Sequence, residues 1–227
     1  MIDLRDKLQQ TYALHGSLET TCCRQCGCCR VNCPMMTFSE ASVILTKVWN
    51  EWPKEDLKKF LSICIKHFFS RSLVKPCPLL QGSDCRIYLD RPLHCRLYGQ
   101  IPAEDYAKRV ESKCKELNLP KEQIPLNTQC PKVRRKAGSS LTSEMIQDME
   151  NALNCIDEVV LSKKYRPAEA RAKIKKSWNL RKIEDWALFV FLGEDLLVKM
   201  SKVAMLSTPE ELRKQIKTFE TLLETIV

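Results

Sequence analysis

The chain has 227 residues, a formal charge of +9 and 44% apolar residues, enough to bury a core and to exclude disorder as its main state. Only 7% of residues are aromatic and six are glycine, and no GxGxxG or GxxxxGKS/T string occurs, which excludes base-stacking surfaces, dinucleotide folds and P-loop enzymes. Thirteen cysteines are several times ordinary usage, and the odd count fits poorly with a complete set of internal disulfides.

Two acids, Asp3 and Asp6, precede any apolar run, so the N-terminus does not read as a signal peptide. The longest apolar stretch, Trp186 to Leu192, is far below the ~20 residues that span a bilayer. The expectation is a cytoplasmic protein with reduced thiols and no membrane partner.

The fold class expected is mainly α, with irregular cysteine-rich loops packed between helices and a C-terminal helical bundle or appendage. In chain order, a first helix is predicted over about Ile2 to Leu14, ending near Gly16. The run from Thr21 to Pro34 has no helical or strand periodicity and reads as a loop wrapped around something. Thr37 and Glu40 mark the start of a second helix, about Ser39 to Trp52, with Val43, Ile44, Val48 and Trp49 at helical spacing. Pro53, followed by Glu55 and Asp56, opens a third to about Ser70, whose apolar face is Leu57, Phe60, Leu61, Cys64, Ile65 and Phe68.

From Leu73 to Tyr98, prolines and Gly82 divide short apolar pieces into a second cysteine loop. A helix follows from Pro102 to about Leu117, then a proline-bounded segment to the basic run Lys132 to Lys136. Beyond it the pattern is helical: about Thr142 to Lys164, Pro167 to Trp178, Arg181 to Leu206 and Pro209 to Ile226. Thr208-Pro209-Glu210-Glu211 has the capping-box order. Two regions are expected, a cysteine-cluster domain over 1–138 and a helical region over 139–227.

Charge and cysteine divide at nearly the same place. Residues 1–136 hold 23 Lys and Arg against 14 Asp and Glu, whereas residues 137–227 hold 14 of each, and twelve of the thirteen cysteines precede residue 131. A four-thiolate [4Fe–4S] site carries about −2, so two would bring the first part to about +5. The basicity then needs no nucleic-acid partner.

Cys23, Cys26, Cys29 and Cys33 followed by Pro34 read C-x2-C-x2-C-x3-C-P, the bacterial ferredoxin spacing, in which the last cysteine can reach a second cluster. Cys22-x3-Cys26-x2-Cys29 also fits the radical-SAM spacing. Six glycines and a mostly helical pattern argue against the large barrel that chemistry requires.

Further on, Cys77-Pro78-Leu79-Leu80, then Gly82, Cys85, Ile87-Tyr88, Arg91-Pro92, Cys95-Arg96 and Tyr98 resemble the second signature of the YkgJ-type cysteine-cluster family, described as a zinc- or iron-chelating domain. The first signature of that family resembles Cys23-Arg24-Gln25-Cys26-Gly27-Cys28-Cys29-Arg30, here one residue shorter, with Thr37 and Glu40 in the expected places. The resemblance covers about residues 20 to 131. It implies Cys23, Cys26, Cys28, Cys29, Cys77, Cys85 and Cys95 as metal ligands and Cys130, before Pro131, as a late member. Cys22 and Cys33 depart from the pattern and would add a ligand or a second cluster.

Other residues have plainer readings. Cys64, on an apolar helix face, and Cys155, between Leu153, Ile156 and Val159, read as core. Cys114, between two lysines, reads as an exposed thiol. Arg91 and Arg96 would neutralise a cluster, with Tyr88 and Tyr98 shielding it, or would simply fold the loop. His94 reads as a loop residue, His15 and His67 as incidental, and Met35 and Met36 as packing. Trp178, Trp186, Phe189 and Phe191 read as bundle core, or as a docking surface where exposed.

Zinc and iron–sulfur share tetrahedral thiolate ligation, but clustered cysteines with Cys-Pro punctuation in this number favour one or two [4Fe–4S] clusters. The expected function is an oxygen-sensitive iron–sulfur protein that transfers electrons to, or helps mature, a partner enzyme, with an acidic partner suited to the basic part. The alternative is a zinc-stabilised interaction module without redox chemistry. A protein-methylation role, implied only by the resemblance, ranks below both because no cosubstrate-binding motif is present.

Overall fold

The computed structural model describes residues 3–18, 35–70, 75–98, 100–101, 103–118, 120, 141–164 and 181–226. Within these the protein is mainly helical, with short two-residue strands.

Helix α1 (Leu4–Tyr12) buries Leu8, Thr11 and Tyr12 and ends in a turn closed by Gly16, whose φ of 87° suits a residue without Cβ. Strand β1 (Met35–Met36) leads into α2 (Phe38–Glu51). Thr37 caps α2, with Glu40 completing a capping box. Ala41, Ile44, Leu45 and Val48 form its buried stripe, and the helix stops at Trp52 because Pro53 disfavours a helical residue before it. Pro53 then caps α3 (Lys54–Phe69), which buries Leu57, Phe60, Leu61, Cys64 and Ile65.

The second cysteine loop contains regular structure. Strands β2 (Leu80–Gln81) and β3 (Asp84–Cys85) form an antiparallel hairpin that turns at Gly82 with φ 63°. A single 3-10 turn (Tyr88–Asp90) and the short helix α4 (Leu93–Leu97) follow. Next come α5 (Ala103–Leu117) and α6 (Ser143–Lys164).

The helix expected from Arg181 to Leu206 is three elements. Arg181–Lys182 is strand β4, paired antiparallel with β1 so that Met35 faces Lys182 and Met36 faces Arg181. Helices α7 (Ile183–Leu192) and α8 (Glu194–Leu206) are separated by Gly193, at φ 83° and ψ 164°, a conformation that interrupts the helix and that side-chain-bearing residues avoid. Helix α9 (Pro209–Ile226) has the predicted bounds. The helix expected over Pro167 to Trp178 lies outside the described residues.

Two cores result. The larger joins α2 and α3 to α7, α8 and α9, with Leu161 of α6. Trp186 is fully buried in it; its indole N–H donates to Met36 O at 3.0 Å and its ring meets Phe38 edge-on at 5.3 Å. The smaller core gathers Leu8, Tyr12, Leu18, Leu93, Leu97, Leu141, Ile146, Met149 and Leu153. Residues from both sides of position 138 share each core.

Candidate metal centre

Of the sequence-predicted ligands, Cys77, Cys85 and Cys95 are described; Cys22, Cys23, Cys26, Cys28, Cys29, Cys33 and Cys130 lie outside the described residues. All three are of intermediate burial. Cys85 ends the hairpin, paired with Leu80, and Cys77 lies in the turn before it, its carbonyl accepting from Leu80 N at 3.2 Å; both pack against the larger core. Cys95 lies in α4, its N–H bonded to Pro92 O at 3.0 Å. Soft sulfur donors on short, well-anchored segments fit thiolate ligation of iron or zinc. Among the described residues, no group of three His, Cys, Asp or Glu side chains is close enough to hold an ion.

The position of α4 is fixed by one carboxylate. Glu40, 2% exposed, accepts from Tyr12 OH at 2.9 Å and Leu93 N at 2.7 Å through Oε1, and from Thr37 N at 2.9 Å and Thr37 Oγ1 at 3.3 Å through Oε2. It therefore ties α1, the start of α2 and the first residue of α4 together. On the other side, Gln100 Nε2 donates to Leu18 O at 3.1 Å. Residues 18 and 37, which flank the first cysteine run, are thus both linked to the Cys95 turn. Buried Asp90 adds a further clamp, accepting from Arg5 at 2.7 Å and Lys47 at 2.9 Å.

The arginines of the second signature are used to fold the loop. Arg96 Nε donates to Arg91 O at 2.7 Å and its Nη2 to Leu89 O at 2.6 Å, while the guanidinium lies 4.5 Å from the centre of the Tyr12 ring. Arg91 covers Tyr88 at 3.8 Å, and Arg86 covers Trp52 at 3.6 Å while pairing with Asp56 at 2.9 Å. Burial lowers the Arg96 pKa, opposed first by the neighbouring Tyr12. Burial, followed by the nearby Glu40 charge, pushes the Tyr12 phenol well above its usual range and keeps it a donor.

A second polar group lies where α3 meets α7. Cys64 is fully buried, and desolvation, then the proximity of Glu184 and Cys77, raises its pKa well above a normal thiol's. It is a core thiol, as expected. His67, also on α3, has its pKa lowered chiefly by burial. Its Nδ1 and both oxygens of Glu184 have no hydrogen-bond partner among the described residues.

Some individual readings change. Cys155 is exposed, because the buried stripe of α6 runs Ile146, Met149, Leu153, Asp157 and Leu161 and leaves Cys155 off it. Cys114 is half-buried and not exposed. Met36 is buried but Met35 is 45% exposed. Phe191 stacks on half-exposed Trp49 at 5.4 Å, at the rim of the larger core. Trp178 lies outside the described residues.

Sequence reasoning missed Asp157, which caps α2 from α6 by accepting from Phe38 N at 3.0 Å and Ser39 N at 2.8 Å. It also missed Glu184 and the reach of Glu40 to Leu93. The Thr37–Glu40 capping spacing was the one available signal. No protein-family model, curated protein or solved structure matches the chain. Among the described residues, no helix is long and apolar enough to cross a membrane.

Proposed function

We propose that this chain is a cytoplasmic cysteine-ligated iron–sulfur protein, with one or two [4Fe–4S] clusters, that transfers electrons to or helps mature a partner enzyme. The observation that carries the reading is the pattern of cysteines itself: six fall within residues 22–33, and Cys77, Cys85 and Cys95 recur in a second specific signature. It is supported by Cys77, Cys85 and Cys95 being half-buried and placed beside the hairpin, in it and in α4.

When bound, such a cluster supplies one-electron chemistry at a potential set by burial and hydrogen bonding. The chain's own residues then have definable tasks. Cys23, Cys26, Cys28, Cys29, Cys77, Cys85 and Cys95, with Cys22, Cys33 and Cys130, are the candidate thiolates. Arg96 places a positive charge beside Cys95 without offering it a freely rotating donor, because two of its N–H groups are held by carbonyls. The excess of Lys and Arg in residues 1–136 suits an acidic protein partner.

The test is iron, acid-labile sulfide and zinc per chain on protein purified without oxygen, with spectra before and after dithionite. Iron and sulfide near four or eight, with a visible band that bleaches, supports the reading. Zinc without a visible band replaces it with a structural module held by the same thiolates. Retention of metal by Cys85→Ser at the wild-type level would remove Cys85 from the ligand set.

A further inference from the structure

We infer that Glu40 is a positioning residue for the metal centre, holding the Cys95 turn in fixed relation to the chain that leaves the first cysteine run; this rests on the metal reading above. Ligands from segments some sixty residues apart in sequence can share a centre only if their backbones are held at a set spacing, and something must hold them in the metal-free chain. Glu40 is placed to do so.

One of its oxygens receives the backbone N–H of Leu93, two residues before Cys95, at 2.7 Å. The other receives the N–H of Thr37, four residues after Cys33, at 2.9 Å. A helix cap requires only the second of these contacts. The first turns a local capping device into a bridge between two cysteine-bearing segments, and Tyr12 OH, at 2.9 Å on the same oxygen as Leu93 N, fixes the carboxylate's orientation from a third direction. All of this is buried, where a short, charge-assisted hydrogen bond is strong and its geometry is kept.

Asp157 provides an internal control. It accepts from Phe38 N and Ser39 N at the same helix start but belongs to α6 and, among the described residues, has no hydrogen bond to α4. If Glu40 serves only the helix, the two residues are equivalent in kind. If it positions the centre, only Glu40 affects metal.

The experiment uses the full chain purified without oxygen, with metal release to excess EDTA followed for wild type, Glu40→Ala and Asp157→Asn. Metal should leave Glu40→Ala about tenfold or more faster than wild type, and Asp157→Asn within about twofold of it, although both variants melt lower. Equal release from Glu40→Ala and wild type, or equal acceleration in both variants, overturns the inference. Should Glu40→Ala fail to fold, Glu40→Asp takes its place with the same two outcomes: it keeps a charge at the helix start but is one methylene too short to bridge Thr37 and Leu93. Wild type that holds neither iron nor zinc would instead defeat the metal reading, so the two failures are distinct.

Discussion

Glu40 and Glu184 occupy similar places in the chain and opposite places in the energetics. Each lies in the first turn of a helix and each is almost completely buried, at 2% and 1% exposure. A carboxylate in a first turn gains from the helix dipole, and so both residues look ordinary in sequence. Glu40 receives donors from three elements, whereas Glu184 faces Cys64 and His67 with neither oxygen bonded among the described residues. Burial alone therefore says little about what a charge does. The donors around it decide whether it organises the fold or burdens it.

That contrast sets the largest expected effect. Glu40→Ala strands Tyr12 OH, Leu93 N and Thr37 N in the interior together, and should cost about 3–5 kcal/mol by denaturant unfolding. Tyr12→Phe, which removes one donor and leaves the carboxylate otherwise bonded, should cost about 1.5–3 kcal/mol. In the double variant the second loss should be smaller than in isolation, because Tyr12 no longer has an acceptor to lose. Strict additivity would mean that Tyr12 and Glu40 do not act through their hydrogen bond.

Glu184 should behave in the reverse sense. Glu184→Met replaces a buried, unbonded carboxylate by an apolar side chain of similar length and should raise stability by about 1–3 kcal/mol. A loss of stability would show that the carboxylate has a cation or donor from outside the described residues, and the contrast between the two glutamates would then disappear.

The same contrast explains what could be read from the sequence. Apolar periodicity and proline or capping signals placed α2, α3, α6 and α9 within a residue or two, because those signals act over one helical turn. Thr37 and Glu40 were recognisable as a cap for that reason. The contact from Glu40 to Leu93 spans 53 positions and has no local periodic trace. The break at Gly193 has no trace in the apolar pattern, which stays helical on both sides of it. Strand β4 is not legible in the sequence, because two residues are too few to show alternation and their conformation is imposed by pairing with β1. In the candidate site, Cys77, Cys85 and Cys95 are candidates through the residues around them and the resemblance these carry, whereas the clamps nearby come from α1, α2 and the loop backbone.

Asp157 extends the comparison to pH. Burial raises its pKa above the ordinary carboxylate value, against the opposing pull of the donors from Ser39 and Phe38. The folded state therefore binds this proton more tightly than the unfolded chain does. The associated stability is complete below the unfolded-state pKa and is lost as pH rises through the folded one. Measured against Asp157→Asn by thermal unfolding between about pH 4 and pH 7, wild type should lose relative stability as pH rises across that window. A relative gain would mean that the hydrogen bonds outweigh desolvation.

The smallest effect tests the burial assignment of the cysteines outside the candidate centre. Cys155 lies off the buried stripe of α6, and Cys155→Ala should change stability by no more than about 0.5 kcal/mol. Cys64, fully buried between α3 and α7, loses packing when truncated, and Cys64→Ala should cost about 1–2 kcal/mol. Neither change should alter metal content, since neither thiol belongs to the proposed ligand set. A cost at Cys155 as large as that at Cys64 would mean that the exposed face of α6 is covered in solution, and a second copy or a partner would be sought there by measuring mass in solution.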